Sequence, residues 1–428
     1  MGHRRDAPLT RVRHGRPPTS RRIHILFALI AILSPCVAPA TEAAPGKPTP
    51  SEADLQALAN AAKAANDAAI AAAPRSPLAE RKRGDRLLFV MASSGDALID
   101  TLGRIVVEPH GEPASPSFEG LAMVIQGGRC GYVDGTGAVV IPPAWDQATA
   151  FIGGLALVAN GIQHHPVPGE TFSYQEGGKR GFIDRTGAYA IPLRFEDAQP
   201  LSDGVAWVKE GGRWGLIDRT GRYVLKPRFN SFVPPSGFSE GLCPIWMDNG
   251  RKGKANVRGN SYVDTTGTVV IPGPFARAGK FSEGRAAVLT GSRVIFIDHA
   301  GRTVLDGGFE LSNDLGVYGL AQEVGYFSEG LASVVVSGRC GIVDTTGKMV
   351  IEPRYEAAAE FHEGLAAVRL EGRTGYIDRA GQMVIVPAFG RADAFERGIA
   401  RVEVGYGLWG YIRRDGSYIW DPRPAGSR

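Results

Sequence analysis

Cysteine is scarce in this 428-residue chain, long apolar runs are missing, and the glycine-rich nucleotide loops and paired metal-ligand motifs of many enzymes are not present. Four cysteines occur. One lies in the leader described below, and the odd remainder, Cys130, Cys243 and Cys340, is no disulfide framework. Cys130 and Cys340 share an Arg-Cys-Gly context, which places them far apart in a repeat; all three read as buried thiols acting as small apolar residues. No stretch approaches the roughly 20 apolar residues that a membrane-spanning helix needs. There is no Walker loop, no Rossmann glycine pattern, and no H-x-x-x-H or C-x-x-C pair. No cofactor and no metal is therefore expected.

Glycine is plentiful at 57 residues, beside 29 prolines, which points to many tight turns. Seven arginines between Arg4 and Arg22 precede the apolar run Ile25–Leu33, and Ala38-Pro39-Ala40 follows. Basic segment, short apolar core and A-x-A are the parts of a secretory signal peptide, so export to a periplasmic or extracellular envelope site is expected, with residues 1–40 removed. An uncleaved anchor is disfavoured by the short core and Pro35. Arg21-Arg22 weakly resembles a twin-arginine signal and Leu33-Ser34-Pro35-Cys36 a lipobox, but proline before the cysteine fits poorly. The leader holds seven Arg and one Asp, so its loss turns the formal +4 into about −2. The basicity belongs to the leader, and nucleic acid is excluded as the expected partner. Residues 41–50 read as linker. Ser51 to Ala73 then read as an alanine-rich helix without an a/d stripe.

From about residue 86 to 420 the chain repeats, ahead of a tail at 421–428. An Asp-x-x-Gly turn follows an apolar pair at Asp100, Asp134, Asp184, Asp218, Asp264, Asp298, Asp344 and Asp378, with a degenerate ninth copy at Arg413. Its glycines include Gly137, Gly187, Gly221, Gly267, Gly347 and Gly381. The spacing is 34 residues, or 35 in the last interval, except where it stretches to 50, 46 and 46. Those three intervals hold insertions near residues 161–178, 247–260 and 306–325. A second marker, Phe-Ser-Glu-Gly at Phe238, Phe281 and Phe327, keeps step, with variants at Phe361 and Phe395. Leu-Ala-x-Val, Gly-Tyr-Ile-Asp and a Val-rich run ending in proline read as three short strands. Asp bonds amides within the turn, Gly takes the left-handed conformation, and proline ends the third strand. Each unit is expected to be a three-stranded antiparallel meander whose apolar faces are covered by its neighbours. Three strands in 34 residues fit an open β-superhelix better than a closed, propeller-like ring of four-stranded blades.

Gly-Leu-Ala-x-Val, Trp214-Gly215-Leu216-Ile217-Asp218 and the following Val-rich run to proline resemble the bacterial WG repeat. The Trp persists only at Trp214 and Trp409; Cys130, Arg180, Cys340 or Thr374 stands in its place elsewhere, and copies one, five and six are weaker. This resemblance implies a binding scaffold and brings no catalytic residues with it.

Several residues imitate chemistry. Gly237-Phe238-Ser239-Glu240-Gly241 matches the G-x-S-x-G elbow, but that motif needs an α/β setting. One Asp per repeat is too sparse for calcium. Asp-Thr-Thr-Gly at Asp264 and Asp344 is one residue too long for an aspartic-protease loop. His164 and His165 lie in the first insertion, read as a solvated loop, and Arg251, Lys252, Lys254 and Arg258 in the second. Long loops on a rigid scaffold commonly carry recognition, so these six are the candidate binding residues. The expected function is an exported, non-enzymatic scaffold contacting a protein or envelope polymer. The alternatives are an envelope hydrolase or modifying enzyme and a purely structural spacer.

Overall fold

The structure, a computed structural model, describes residues 86–90, 97–107, 112–113, 117–166, 173–231, 234–248, 258–310, 326–405 and 407–423. The leader, the linker, the alanine-rich segment and Arg251, Lys252 and Lys254 lie outside them. Among the described residues every regular element is a β-strand. The strands form nine separate antiparallel sheets in chain order, spanning 87–107, 112–145, 147–195, 197–229, 242–275, 277–309, 331–355, 357–389 and 399–420. No sheet closes into a barrel. The sheets are called units one to nine.

Each unit is built on three strands, as unit four illustrates. Val205–Glu210 pairs with Arg213–Asp218, which pairs with Tyr223–Phe229. Along the first strand Val205 and Trp207 pack toward unit five, while Ala206 and Val208 pack toward unit three. Period-two alternation therefore buries both faces of the sheet. The third strand is the exposed edge, leaving Val140, Val224, Val270, Val304, Val350 and Val384 partly in solvent.

The Asp-x-x-Gly turns form as their residues dictate. The Asp218 carboxylate accepts from Thr220 N, Thr220 Oγ1 and Arg222 N at 2.8, 2.7 and 3.1 Å. Gly221 N–H donates to the Asp218 carbonyl, with φ at +81°. The same set recurs at Asp134, Asp184, Asp264 and Asp344, and at Asp378 with the amides alone. Hydrogen bonds from the threonine hydroxyl and then from backbone amides hold Asp184, Asp218 and Asp344 below the usual carboxylate range. These aspartates are committed to turns.

Proline does not end the third strand. Met383–Phe389 continues past Pro387 to pair Phe389 with Thr374, and the extra residues bulge over Gly375. The glycine of the Trp-Gly pair is explained here. A β-carbon on Gly215 would lie 2.6 Å from the Leu225 carbonyl oxygen and 2.7 Å from Pro227 N, and Gly131, Gly341 and Gly375 are crowded in the same way. Where the chain puts Ser261 or Ile295 at this position, glycine moves into the bulge instead, at Gly273 and at Gly307-Gly308.

The segment after the third strand carries a Pro-x-Phe-x-x-Ala pattern that reads in sequence as a loop leading to the next unit, and the structure differs from that reading. In five units it adds a two-residue edge strand, such as Asp197–Ala198 against Val208 and Lys209. Units are thus three- or four-stranded. The Pro-x-Phe-x-x-Ala pattern carries loop signals, yet its backbone fits beside the first strand, and its amides donate to that strand's carbonyls, as Glu196 N does to Lys209 and Gln199 N to Trp207.

The array is closed, contrary to the open stack expected from the strand count. Each junction between consecutive units is filled by one apolar cluster, and eight such clusters join units one to nine. A ninth packs Ile399, Tyr411 and Trp420 of unit nine against Leu88, Val90, Ala97, Ile99 and Ile105 of unit one. Tyr411 Oη donates to the Phe89 carbonyl at 2.7 Å, and Arg86 meets Glu396 at 2.9 Å. Burial dominates this closure, because each buried large side chain contributes roughly 1.5–3 kcal/mol against about 1 kcal/mol for a hydrogen bond.

Gly215→Val should lower unfolding stability by about 3 kcal/mol, since the bulge cannot clear the new side chain. Denaturant melts of the two chains measure this, and an unchanged midpoint would contradict the crowding argument.

Candidate functional site: the insertion-bearing face

Register assigns every turn to one of two ends of its sheet. Val205 pairs with Asp218, so the Phe-x-Glu-Gly turn before the first strand and the Asp-x-x-Gly turn after the second share one end. The hairpin joining the first and second strands lies at the other. The Phe-x-Glu-Gly turns touch one another from unit to unit, so like ends face the same way around the ring. Gly154 N–H donates to Glu119 at 3.0 Å, Gly330 N–H to Glu283 at 2.8 Å and Gly398 N–H to Glu363 at 2.9 Å. Ser239 Oγ donates to the Phe281 carbonyl at 2.7 Å, and Ser282 Oγ to that of Phe327 at 2.6 Å. The apparent nucleophile elbow is therefore a clasp between neighbours.

All three insertions leave from the hairpin end. In unit three the hairpin strands Leu155–Pro166 and Ser173–Asp184 are twelve residues each, where those of unit four are six. Their pairing runs unbroken in direction from Leu155↔Asp184 to Pro166↔Ser173. The first insertion is thus a two-stranded arm extending about 20 Å beyond the neighbouring hairpins, in place of the expected loop. Gly161 and Gly178, with φ of +79° and +75°, sit at its root, where the ribbon leaves the sheet. His164 and His165 lie on the arm opposite Gln175 and Tyr174. In unit five the second insertion joins Leu242–Asp248 to Arg258–Asp264, with Arg258 paired to Asp248. The third departs after Glu310, which pairs with Val335 near the hairpin of unit seven. The departures come from units three and five and the entry to unit seven, on one face.

Acidic residues on this face are largely consumed by the fold. Glu196 accepts from Gly211 N and Gly212 N at 2.9 and 3.0 Å, capping the hairpin of unit four. Glu310 and Glu356 cap the hairpins of units seven and eight at 3.1 Å. Arg129 meets Asp146 at 2.7 Å and Arg180 meets Asp197 at 3.1 Å. Burial raises the Asp197 carboxyl against the pull of Arg180. A shallow depression at the arm's root is lined by Asn160, Gly161, Gly177, Gly178, Lys179 and Glu196. It brings one exposed lysine beside an already engaged carboxylate, an arrangement suited to surface contact. Among the described residues no group of His, Cys, Asp and Glu is placed to hold a metal, and no helix is long and apolar enough to cross a membrane.

The fold and this face define a ring of nine antiparallel β-sheets with decorated hairpins. The family model of the WG containing repeat matches residues 131–161, 181–214, 214–249, 261–293, 341–373 and 375–407. The chain is a WG repeat-containing protein. Each matched stretch runs from the second strand of one unit into the first strand of the next, so the sequence repeat spans the junction between sheets. The matches take in copy five, which the sequence pattern ranks among the weaker. No curated protein matches the chain in sequence. Among solved structures, the crystal structure of the eukaryotic initiation factor aligns with 80% of this chain and 100% of its own at 10% identity and a TM-score of 0.54, a likeness of fold. AztD from Citrobacter koseri aligns with 78% of this chain and 94% of its own at 13% identity and a TM-score of 0.36.

Cys130, Cys243 and Cys340 form no disulfide and are buried, in line with their sequence reading. Burial pushes the thiols of Cys130 and Cys243 up to about 11 and about 12, so they stay protonated at neutral pH. None of the three should react with iodoacetamide at pH 8 until denaturant is added; mass spectrometry showing rapid native labelling would contradict this packing.

Proposed function

We propose that this protein is an exported, non-enzymatic scaffold whose insertion-bearing face binds a protein or cell-envelope polymer. One observation carries the reading: the three departures from the repeat leave the ring on the same face, from units three and five and the entry to unit seven. A rigid ring supports such elements without ordering cost elsewhere, and recognition commonly resides on them. The arm adds a two-stranded ribbon that carries His164 and His165, and Arg258 begins the returning strand of the second insertion, after Arg251, Lys252 and Lys254 in sequence. Export rests on the leader sequence. The absence of chemistry is supported by the commitment of the recurrent Asp, Ser and Glu residues to turns, clasps and caps, and by the protonated thiols.

The test compares recovery from a solubilised envelope fraction by the mature chain and by chains with residues 161–178 or 247–259 replaced by a two-residue hairpin turn. Thermal melts establish that the ring persists. Loss of a retained partner by about tenfold in either variant is expected; equal recovery by all three chains would reject the assignment of this face.

A further inference from the structure

The clasps between Phe-x-Glu-Gly turns recur around the opposite face, and among the described residues one of them lacks its carboxylate. Glu119, Asp203, Glu240, Glu283, Glu329 and Glu363 each accept from an amide of the next turn, and Arg86 takes up Glu396 at the closing junction. At the junction of units three and four the turn in the acceptor's position reads Phe151-Ile152-Gly153-Gly154, with glycine in the carboxylate's place. The receiving turn is intact. Asp203 and Gly204 have φ of +47° and +79°, close to the +54° and +76° of Arg397 and Gly398, whose amides both hold Glu363. Neither the Asp203 nor the Gly204 amide has an acceptor among the described residues.

The cation of the clasp also remains. Arg185 and Arg379, each next to a turn aspartate, pair with Glu119 and Glu329 at 3.4 and 3.3 Å. Arg219 occupies the same position in unit four and donates to the Gly153 carbonyl. Its guanidinium lies 3.7 Å from where a Gly154 β-carbon would be. A β-carbon on Gly204 would meet nothing within 4 Å, so solvent reaches this turn. The Asp203 carboxylate is turned away, accepting from Gly241 N at 2.8 Å, just as Glu363 does beside the occupied amide of Gly364.

We propose that this junction is a binding site for a carboxylate supplied from outside the chain. The Asp203 and Gly204 amides receive its two oxygens, and Arg219 swings from the Gly153 carbonyl to neutralise it. Adjacent amides and a guanidinium are the donor set of a carboxylate seat. The chain itself fills equivalent seats with glutamate or aspartate. The ligand is a small organic acid or a polypeptide C-terminus. The site lies on the face opposite the insertions and stands apart from the function proposed above.

The experiment follows the Gly204 amide by NMR in the full mature chain labelled with 15N-glycine, during titration with sodium acetate against sodium chloride at equal ionic strength. A saturable, acetate-specific shift is expected. Arg219→Ala should weaken it about tenfold. Gly153→Glu should abolish it, because the chain then supplies its own carboxylate; Glu119 and Glu240 show that glutamate takes this backbone conformation, with φ of +49° and +52°. Trialanine as the free acid and as the C-terminal amide distinguish the sources. Binding by the free acid about tenfold tighter than acetate, with none by the amide, assigns a polypeptide C-terminus; equal binding by acetate and the free acid assigns a small acid. No acetate-specific shift of Gly204, or an undiminished one in Gly153→Glu, overturns the proposal.

Discussion

The structure depends on one constraint: each sheet is apolar on both faces, so every unit needs two neighbours. Val205 and Trp207 cannot be buried by the unit that buries Ala206 and Val208. An array with ends would leave two such faces bare, on units one and nine. Packing Ile99 and Ile105 against Tyr411 and Trp420 removes both ends together. Closure is the way this sequence satisfies its own alternation, and it also explains why no polar capping unit is needed among the described residues.

Within that constraint the third strand does a second job. It is the exposed edge of each sheet, and its bulge, which holds a proline in units four and eight and Gly307-Gly308 in unit six, makes that edge a poor template for pairing with another chain. The bulge presses on the middle strand, which is why glycine follows the family's tryptophan position. The tryptophan itself is more replaceable: Cys130 and Thr374 stand across from Trp145 and Phe389, so the aromatic on the third strand keeps the pair filled.

The period, the strands and the turns were legible in the sequence because they are local. An aspartate bonding amides two and four residues ahead leaves its mark every 34 residues, wherever the ring goes. Closure was not legible, because it rests on contacts such as Tyr411 to Phe89 across 322 positions, and no local pattern records them. The edge strands were hidden because Pro-x-Phe-x-x-Ala carries loop residues while its backbone pairs. The arm's sequence reads as a loop because Gly161, Gly177 and Gly178 interrupt the alternation at its root. Gly153 carries no signal in the sequence, because a glycine where other turns carry a carboxylate has no meaning until the clasp geometry is known.

Two faces with different roles follow from this account. One carries decorated hairpins and the function proposed for them; the other carries the clasps that lock neighbours together. Both presuppose that unit nine rests on unit one. The direct test is hydrogen exchange by mass spectrometry on Ile99→Ala, a substitution at a fully buried residue of unit one that faces unit nine. A closed ring predicts faster exchange across residues 399–420, comparable with the effect of Leu98→Ala on residues 121–134 of unit two, against which Leu98 packs. Unchanged exchange across 399–420 in Ile99→Ala would contradict closure.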